Sequence, residues 1–312
     1  MTDTSHPPTP SLIARAIDSD IFYSFRRSKL TIVAGSIVLL LLLAAILAPL
    51  LAVQNPFDPA QLELMNSRIS PLWTAEGQSP FLLGTDEQGR DVLSAILYGM
   101  RISLIVGVLG VGLAAVLGIG LGLIAGYVGG AVDSLIMRVA DVQLTFPAIL
   151  IALLIDGIVK SMLGNHLDAT TMLVVLVVAI GLSFWVQYAR TVRGSVMVEK
   201  NKDYVAAAQL IGLPARVIML RHVLPNTMGP ILVIATINLA LAIITEATLS
   251  FLGSGMPDTM PSLGTLIRIG NNYLFSGEWW VIAFPGIALA SLILSINLVG
   301  DWLRDALNPK LQ

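Results

Sequence analysis

Five stretches of the chain run without a charged residue for about twenty positions or more: Leu30–Val53, Ile102–Val128, Ala169–Ala189, Asn226–Thr245 and Trp279–Gly300. A helix needs about 20 such residues to cross the hydrocarbon core of a bilayer, so each predicts a spanning helix. A sixth run, Val142–Ile155, is only 14 residues between Asp141 and Asp156. It reaches spanning length by taking in Arg138 and Asp141 or Asp156, which a membrane tolerates on a protein-facing side or near a helix end. The pattern predicts an all-α polytopic membrane protein with six transmembrane helices. The first run follows Arg26-Arg27-Ser28-Lys29, but it is longer than a signal-peptide core and 29 residues precede it; an uncleaved anchor is expected. Met1–Pro10, with three prolines among polar neighbours, predicts a disordered tail.

Orientation follows from lysine and arginine, which concentrate in cytoplasmic loops. With both termini cytoplasmic, 13 of the 18 cations fall inside and five, Arg68, Arg90, Arg101, Lys160 and Arg268, fall outside. Three inter-helix segments are then long. The outer segment Gln54–Met100 is acidic at Asp58, Glu63, Glu76, Asp86, Glu87 and Asp91, and its end, Ser94–Arg101, reads as a short amphipathic helix. The inner segment Arg190–Pro225 holds six of the 13 inner cations, and a second outer segment, Gly253–Glu278, is too apolar at Leu263–Ile269 to be only a solvated loop. Length alone leaves open whether these segments receive soluble partners or merely connect helices.

Composition narrows the function. Hydrophobic residues make up 55% and charged residues 12% of the chain, half the charged share of an ordinary soluble domain of about 25%. The net charge of -2 offers no basic surplus for nucleic acid. Without cysteine there is no thiolate metal site or thiol nucleophile, and His6, His166 and His222 lie too far apart in sequence for a metal motif. No G-x-x-x-x-G-K-[ST], H-E-x-x-H or G-x-S-x-G string occurs. Gly118-Ile-Gly-Leu-Gly122 lies inside a span, which excludes a phosphate loop. Asp141 and Asp156, 15 residues apart, would be about 22 Å apart on one helix, too far for paired-aspartate proteolysis. No catalytic site, metal or cofactor is expected in this chain.

Some residues within the spans carry candidate roles. Gly110, Ala114, Gly118, Gly122 and Gly126 recur every four residues along one side of the second span. They either pack it tightly beside a moving transport path or serve ordinary bundle packing. Glu246, with Asn238 and Thr245 nearby, either lines a polar path, pairs with a cation, or lies at the water interface. Asp141 is expected to pair locally with Arg138.

The inner segment contains Asp203-Tyr-Val-Ala206-Ala207-Ala208-Gln-Leu-Ile-Gly212-Leu-Pro214, continuing to His222-Val-Leu224-Pro225. It predicts a short alanine-rich helix, a turn at Gly212, a second helix opened by Pro214 and a stop at Pro225. Such a compact knob suits docking in a groove, although spacing alone equally allows a plain connector.

This string resembles the signature of the binding-protein-dependent permeases of bacterial ABC importers, E-A-A, three residues, G, nine residues, I-x-L-P. Ala207, Ala208, Gly212, Leu224 and Pro225 match it, while Ala206 replaces the glutamate and His222 an aliphatic residue. The resemblance extends from Phe25 onward to the C-type permease of the dipeptide/oligopeptide/nickel group. It is carried further by Leu83–Ser94 (LGTDEQGRDVLS), Glu246–Gly253 (EATLSFLG) and Asn297–Lys310 (NLVGDWLRDALNPK).

The resemblance implies a type I ABC importer permease architecture in the bacterial inner membrane. Its expected partners are a second, related permease subunit, two ATPase subunits that hold ATP and Mg, a periplasmic substrate-binding protein and membrane lipid, with no nucleic acid. Residues 1–29 would be a cytoplasmic tail, 30–53 the first span, 54–101 a periplasmic segment, and 102–300 a five-helix core. Within that core lie a coupling segment at 190–225 and a periplasmic segment at 253–278; 301–312 would be a cytoplasmic tail. Asp203, Ala206, Ala207, Ala208, Gly212, His222, Leu224 and Pro225 would couple to an ATPase subunit. Di- or oligopeptides are the implied cargo, with nickel chelates, glutathione or another small solute as alternatives within the group. A proton-coupled secondary transporter using Glu246, Asp141 or Asp156, and a scaffold subunit without a transport path, are the competing classes.

Overall fold

The computed structural model describes residues 20–163 and 168–307. Among them there is no strand, only an isolated antiparallel bridge between Thr85 and Asp91. The expected tail at Met1–Pro10, His166 and the last residues of the Asn297–Lys310 string lie outside the described residues.

The helices are α1 (Asp20–Arg27), α2 (Lys29–Ile46), α3 (Val92–Val128), α4 (Gly130–Leu144), α5 (Ala148–Leu163), α6 (Ala169–Glu199), α7 (Asp203–Leu210), α8 (Met228–Phe251), α9 (Leu263–Tyr273) and α10 (Trp280–Ala306). Five helical stretches are long and apolar enough to cross a membrane, and six if the bent pair α4–α5 counts as one. Polar side chains start several of them. Ser28 Oγ accepts from Thr31 N, Asp91 accepts from Ser94 N at 2.8 Å, and Ser262 Oγ accepts from Thr265 N. Each satisfies an amide that a helix start otherwise leaves unpaired.

Two expectations about span shape are corrected. Val142–Ile155 is not one straight helix: α4 and α5 meet at 92° across Thr145–Pro147. Pro147 has no N–H to donate and disfavours helical geometry at the residue before it. Ser94–Arg101 is not a separate helix but the first turns of α3, which extends for 37 residues. The charges that end the apolar run do not end the helix, because Asp91 caps it ten residues earlier.

The centre of the bundle is the seam between α3 and α6. A β-carbon added at Gly118 would meet Tyr188 Cβ and Trp185 O at 2.4 Å; at Gly122, Ala189 O at 2.6 Å; at Gly126, Val196 Cβ at 2.8 Å; and at Gly110, Ile180 Cγ2 at 2.7 Å. Ala114, on the same stripe, is fully buried. The small-residue stripe therefore lets α6 lie against the α3 backbone. Lipid gives helices little hydrophobic reason to associate, and close contact supplies the attraction instead. Gly112 and Gly120, off the stripe, have no such neighbour within 4 Å. α2 turns Leu39, Leu40, Leu43 and Ile46 outward, as a lipid-facing helix does.

Candidate functional site

At one end of the bundle α6 ends at Glu199, and the chain makes the predicted knob before entering α8. α7 presses Val205 and Ala208 inward and leaves Ala206, Ala207 and Asp203 exposed. It stops at Gly212, whose φ of +78° suits glycine. Gly212 N donates to Gln209 O and Leu213 N to Ala208 O, closing the helix end. The turn thrusts Leu210 and Ile211 into the open, 88% and 75% exposed. Exposed aliphatic residues at a tight turn form a small apolar tip.

The return segment corrects the expected stop at Pro225. Helical backbone continues from Ala215 to Phe251, but its hydrogen bonding changes to a π turn at Ile218–Val223 and a 3-10 turn at Leu224–Thr227. Pro225 cannot donate, so the regular ladder fails around it. The Asn226 side chain compensates: its Nδ2 donates to His222 O at 2.6 Å. Ile218 and Val223 are buried, Leu224 half-buried and Pro225 exposed. The His222 ring Nδ1 lies 3.5 Å from Val217 O.

A polar cluster underlies the knob. The Tyr204 hydroxyl donates to Glu199 Oε1 at 2.7 Å, accepts from Asn226 Nδ2 at 3.1 Å and lies 3.3 Å from His222 O. Lys202 Nζ pairs with Glu199 Oε2 at 2.9 Å. Burial, then the adjacent Glu199 carboxylate, pushes the Tyr204 phenol above its ordinary range. Sequence reasoning singled out Asp203 and passed over Tyr204, Glu199 and Asn226. The only local signal was a tyrosine beside Asp203, and its partners lie five and 22 positions away.

Much of the basic charge here is committed internally. Arg193 Nη2 bonds Asp133 Oδ2 at 2.6 Å, Lys200 Nζ donates to Gly126 O at 2.8 Å, and Arg190 pairs with Asp141. This last pair replaces the expected Asp141–Arg138 contact, because α4 lies beside α6, where Asp133 also meets Arg193 and Gln143 Nε2 donates to Leu182 O. Arg216 and Arg221 remain exposed on the knob's return segment.

The structure does not bring the other singled-out residues to the knob. Asn238 and Glu246 in α8 are fully enclosed and Thr245 is 9% exposed. Glu246 Oε2 accepts from Ser103 Oγ and Oε1 from Ser250 Oγ, both at 2.8 Å. Ser103 Oγ also accepts from Leu263 N, and Ser250 Oγ from Met256 N. Glu246 thus fastens α3, α8 and the lead-in to α9, and faces no open path in this conformation. Asp156 pairs with Lys160 at 2.8 Å. The carboxylates a proton-coupled transporter would use are occupied in these contacts.

The far end of the bundle holds the Leu83–Ser94 string in a knot. Arg90 and Asp86 form an enclosed ion pair at 2.7 Å, with side chains 1% and 4% exposed. Arg90 Nη1 also donates to Asp258 O at 2.7 Å, tying in the segment before α9. Trp280 Nε1 donates to Thr85 O at 3.1 Å, tying in the start of α10. Burial, then neighbouring Asp86, raises the Glu87 carboxyl above the usual carboxylate range. Burial likewise raises Asp91, against the lowering effect of its bonds to Ser94. Among the described residues no group of three or more histidine, aspartate or glutamate side chains could hold a metal ion.

Residues 118–312 match the family described as binding-protein-dependent transport system inner membrane component, and residues 19–71 match the N-terminal transmembrane domain of oligopeptide transport permease C. The chain is 36% identical to a dipeptide transport system permease protein of Haemophilus influenzae, over 94% of this chain and 95% of that one. It is 38% identical to a di/tripeptide transport system permease protein of Pseudomonas aeruginosa, over 97% and 95%. The corresponding dipeptide permease of Escherichia coli is 39% identical over 94% and 93%. Among solved structures, an inward-facing form of the MetNI methionine ABC transporter shares the fold, with a TM-score of 0.51 at 17% identity over 68% of this chain and 94% of that one.

Proposed function

The chain belongs to the binding-protein-dependent transport system inner membrane components and carries the N-terminal domain of the C-type oligopeptide permeases; from that premise we propose that it forms one half of the membrane path of an ATP-driven peptide importer. It is a multi-pass protein of the inner membrane, a reading that its apolar helices and its family support. Di- and oligopeptides are the cargo, as the names of its relatives suggest. A second permease subunit supplies the other half of the path, and a periplasmic binding protein delivers cargo.

The observation that carries the reading is the knob: a compact, exposed turn with an apolar tip, rooted between two spanning helices, on a chain with no nucleotide motif of its own. Two ATPase subunits, holding ATP and Mg, dock on the cytoplasmic face, one of them receiving the tip at Leu210 and Ile211. Asp203, Ala206, Ala207, Ala208 and Gly212 present that tip, and His222, Leu224 and Pro225 pass its displacement into α8. Both termini and the knob are cytoplasmic, in keeping with 13 inner cations against five.

Extraction of the tagged chain in mild detergent tests this. The expected result is co-recovery of a second permease and ATPase subunits with vanadate-sensitive hydrolysis, and ATP-dependent import of a labelled dipeptide after reconstitution with the binding protein. A chain emerging alone, from membranes in which other ABC complexes survive, overturns it.

A further inference from the structure

The exposed tip can transmit a push only if the knob is fixed to the helices behind it. Apolar contacts through Val205, Ala208, Ile218 and Val223 hold it in place, but such contacts are non-directional and permit sliding. Directional bonds are few. Gln209 Nε2 lies 3.5 Å from the Tyr127 hydroxyl, at the limit of a hydrogen bond. The short bonds converge on the Tyr204 hydroxyl, which joins α7 to the last residue of α6 through Glu199 and to the lead-in of α8 through Asn226. Asn226 also bonds the His222 carbonyl in the stretch where the helical ladder is irregular. A hydroxyl that bridges three elements beside a weakened stretch of helix determines whether they move separately.

We infer that Tyr204 is a positioning residue for energy coupling: its hydroxyl locks the knob to α6 and α8, so that displacement of the Leu210–Ile211 tip tilts both helices. The inference rests on the knob being the ATPase contact, and names the joint within it.

The chain has no cysteine, so cysteines introduced at exposed Gln209 and Leu232 are the only thiols it offers to spin labels. In the assembled importer, wild type is expected to show one narrow label-to-label distance that is unchanged when ATPase subunits are trapped with ATP and vanadate. Tyr204→Phe, which removes only the hydroxyl, is expected to broaden that distribution at least twofold on trapping. Dipeptide imported per ATP hydrolysed should fall about three- to tenfold, as expected for loss of one hydrogen bond. Glu199→Ala, which removes the hydroxyl's partner together with the Lys202 pairing, must reproduce the broadening, whereas Glu199→Gln, which loses the Lys202 charge pair but keeps an acceptor for the hydroxyl, stays near wild type.

A wild-type distance and import-to-ATP ratio in Tyr204→Phe overturns the inference. So does an unchanged ratio accompanied by a lower yield of assembled complex, which is the signature of a merely structural role. In the isolated labelled chain, where no ATPase subunit loads the knob, Tyr204→Phe is expected to give a wider distance distribution than wild type, and equal widths there overturn the inference, so failure of docking and failure of the joint are told apart.

Discussion

The two ends of the bundle hold their loops in opposite ways. At one end Arg90 and Asp86 are enclosed as an ion pair, and the surrounding backbone ties the starts of α3 and α10 to the segment before α9. At the other end the knob stands in the open, with an apolar tip and one hydroxyl as its main directional tie. A buried charge pair is poor at adding net stability, but once formed it is costly to break. An exposed turn held by a few bonds costs little to displace. The difference separates an end that resists rearrangement from an end suited to being moved.

Breaking the enclosed pair should have the largest effect on stability. Arg90→Ala leaves Asp86 charged and buried, and is expected to cost about 3–5 kcal/mol, seen as loss of folded protein in detergent size-exclusion chromatography. Asp91→Ala, which removes the α3 cap, should cost about 0.5–2 kcal/mol. Asp91→Asn, which keeps an acceptor oxygen, should cost much less in the same thermal assay. At the knob, Gly212→Val forces a β-branched residue to a φ of +78° and should cost about 1–2 kcal/mol, in keeping with a strained backbone position. Its main expected effect is functional: lost co-purification of the ATPase or hydrolysis uncoupled from import. Wild-type coupling in that variant would remove the knob from the mechanism and erase the contrast.

The smallest effect concerns pH. Folding raises the Glu87 carboxyl, so the folded chain holds this proton more tightly than the unfolded chain. The resulting stabilisation is full below the unfolded value and is lost as pH rises through the raised one. Glu87→Gln should therefore be favoured relative to wild type at pH 8 and lose that advantage near pH 4. Parallel melting curves for the two proteins across this range would show that burial exerts no such pull.

Much of this was legible from the chain alone because a bilayer imposes a coarse rule. Charge-free runs mark five spans, and glycine followed by Pro214 marks the turn of the knob. Other features depended on contacts that no local pattern records. The break at Pro147 was visible as a proline, but not as a 92° bend. Asp141 had a cation three residues away and chose Arg190, 49 residues distant. Glu246 looked like a residue for a polar path because charge in a span draws attention. Its serine partners, at positions 103 and 250, are contacts that no local pattern records. Pro225 marked a disturbance correctly, but the Asn226 side chain carries the helix across it.

The length of α3 gives the two ends a mechanical relation. Its 37 residues make a rod of about 55 Å at the rise of an α-helix, nearly twice the hydrocarbon core it crosses. The glycine stripe fastens that rod along α6, Lys200 grips it near the knob, and the enclosed knot sits on its far tip. Tilting such a lever by about 5° about its knob end carries the tip through about 5 Å, given that length. A modest angular change at the knob would thus become, without any further moving part, a displacement wider than a water molecule at the opposite mouth.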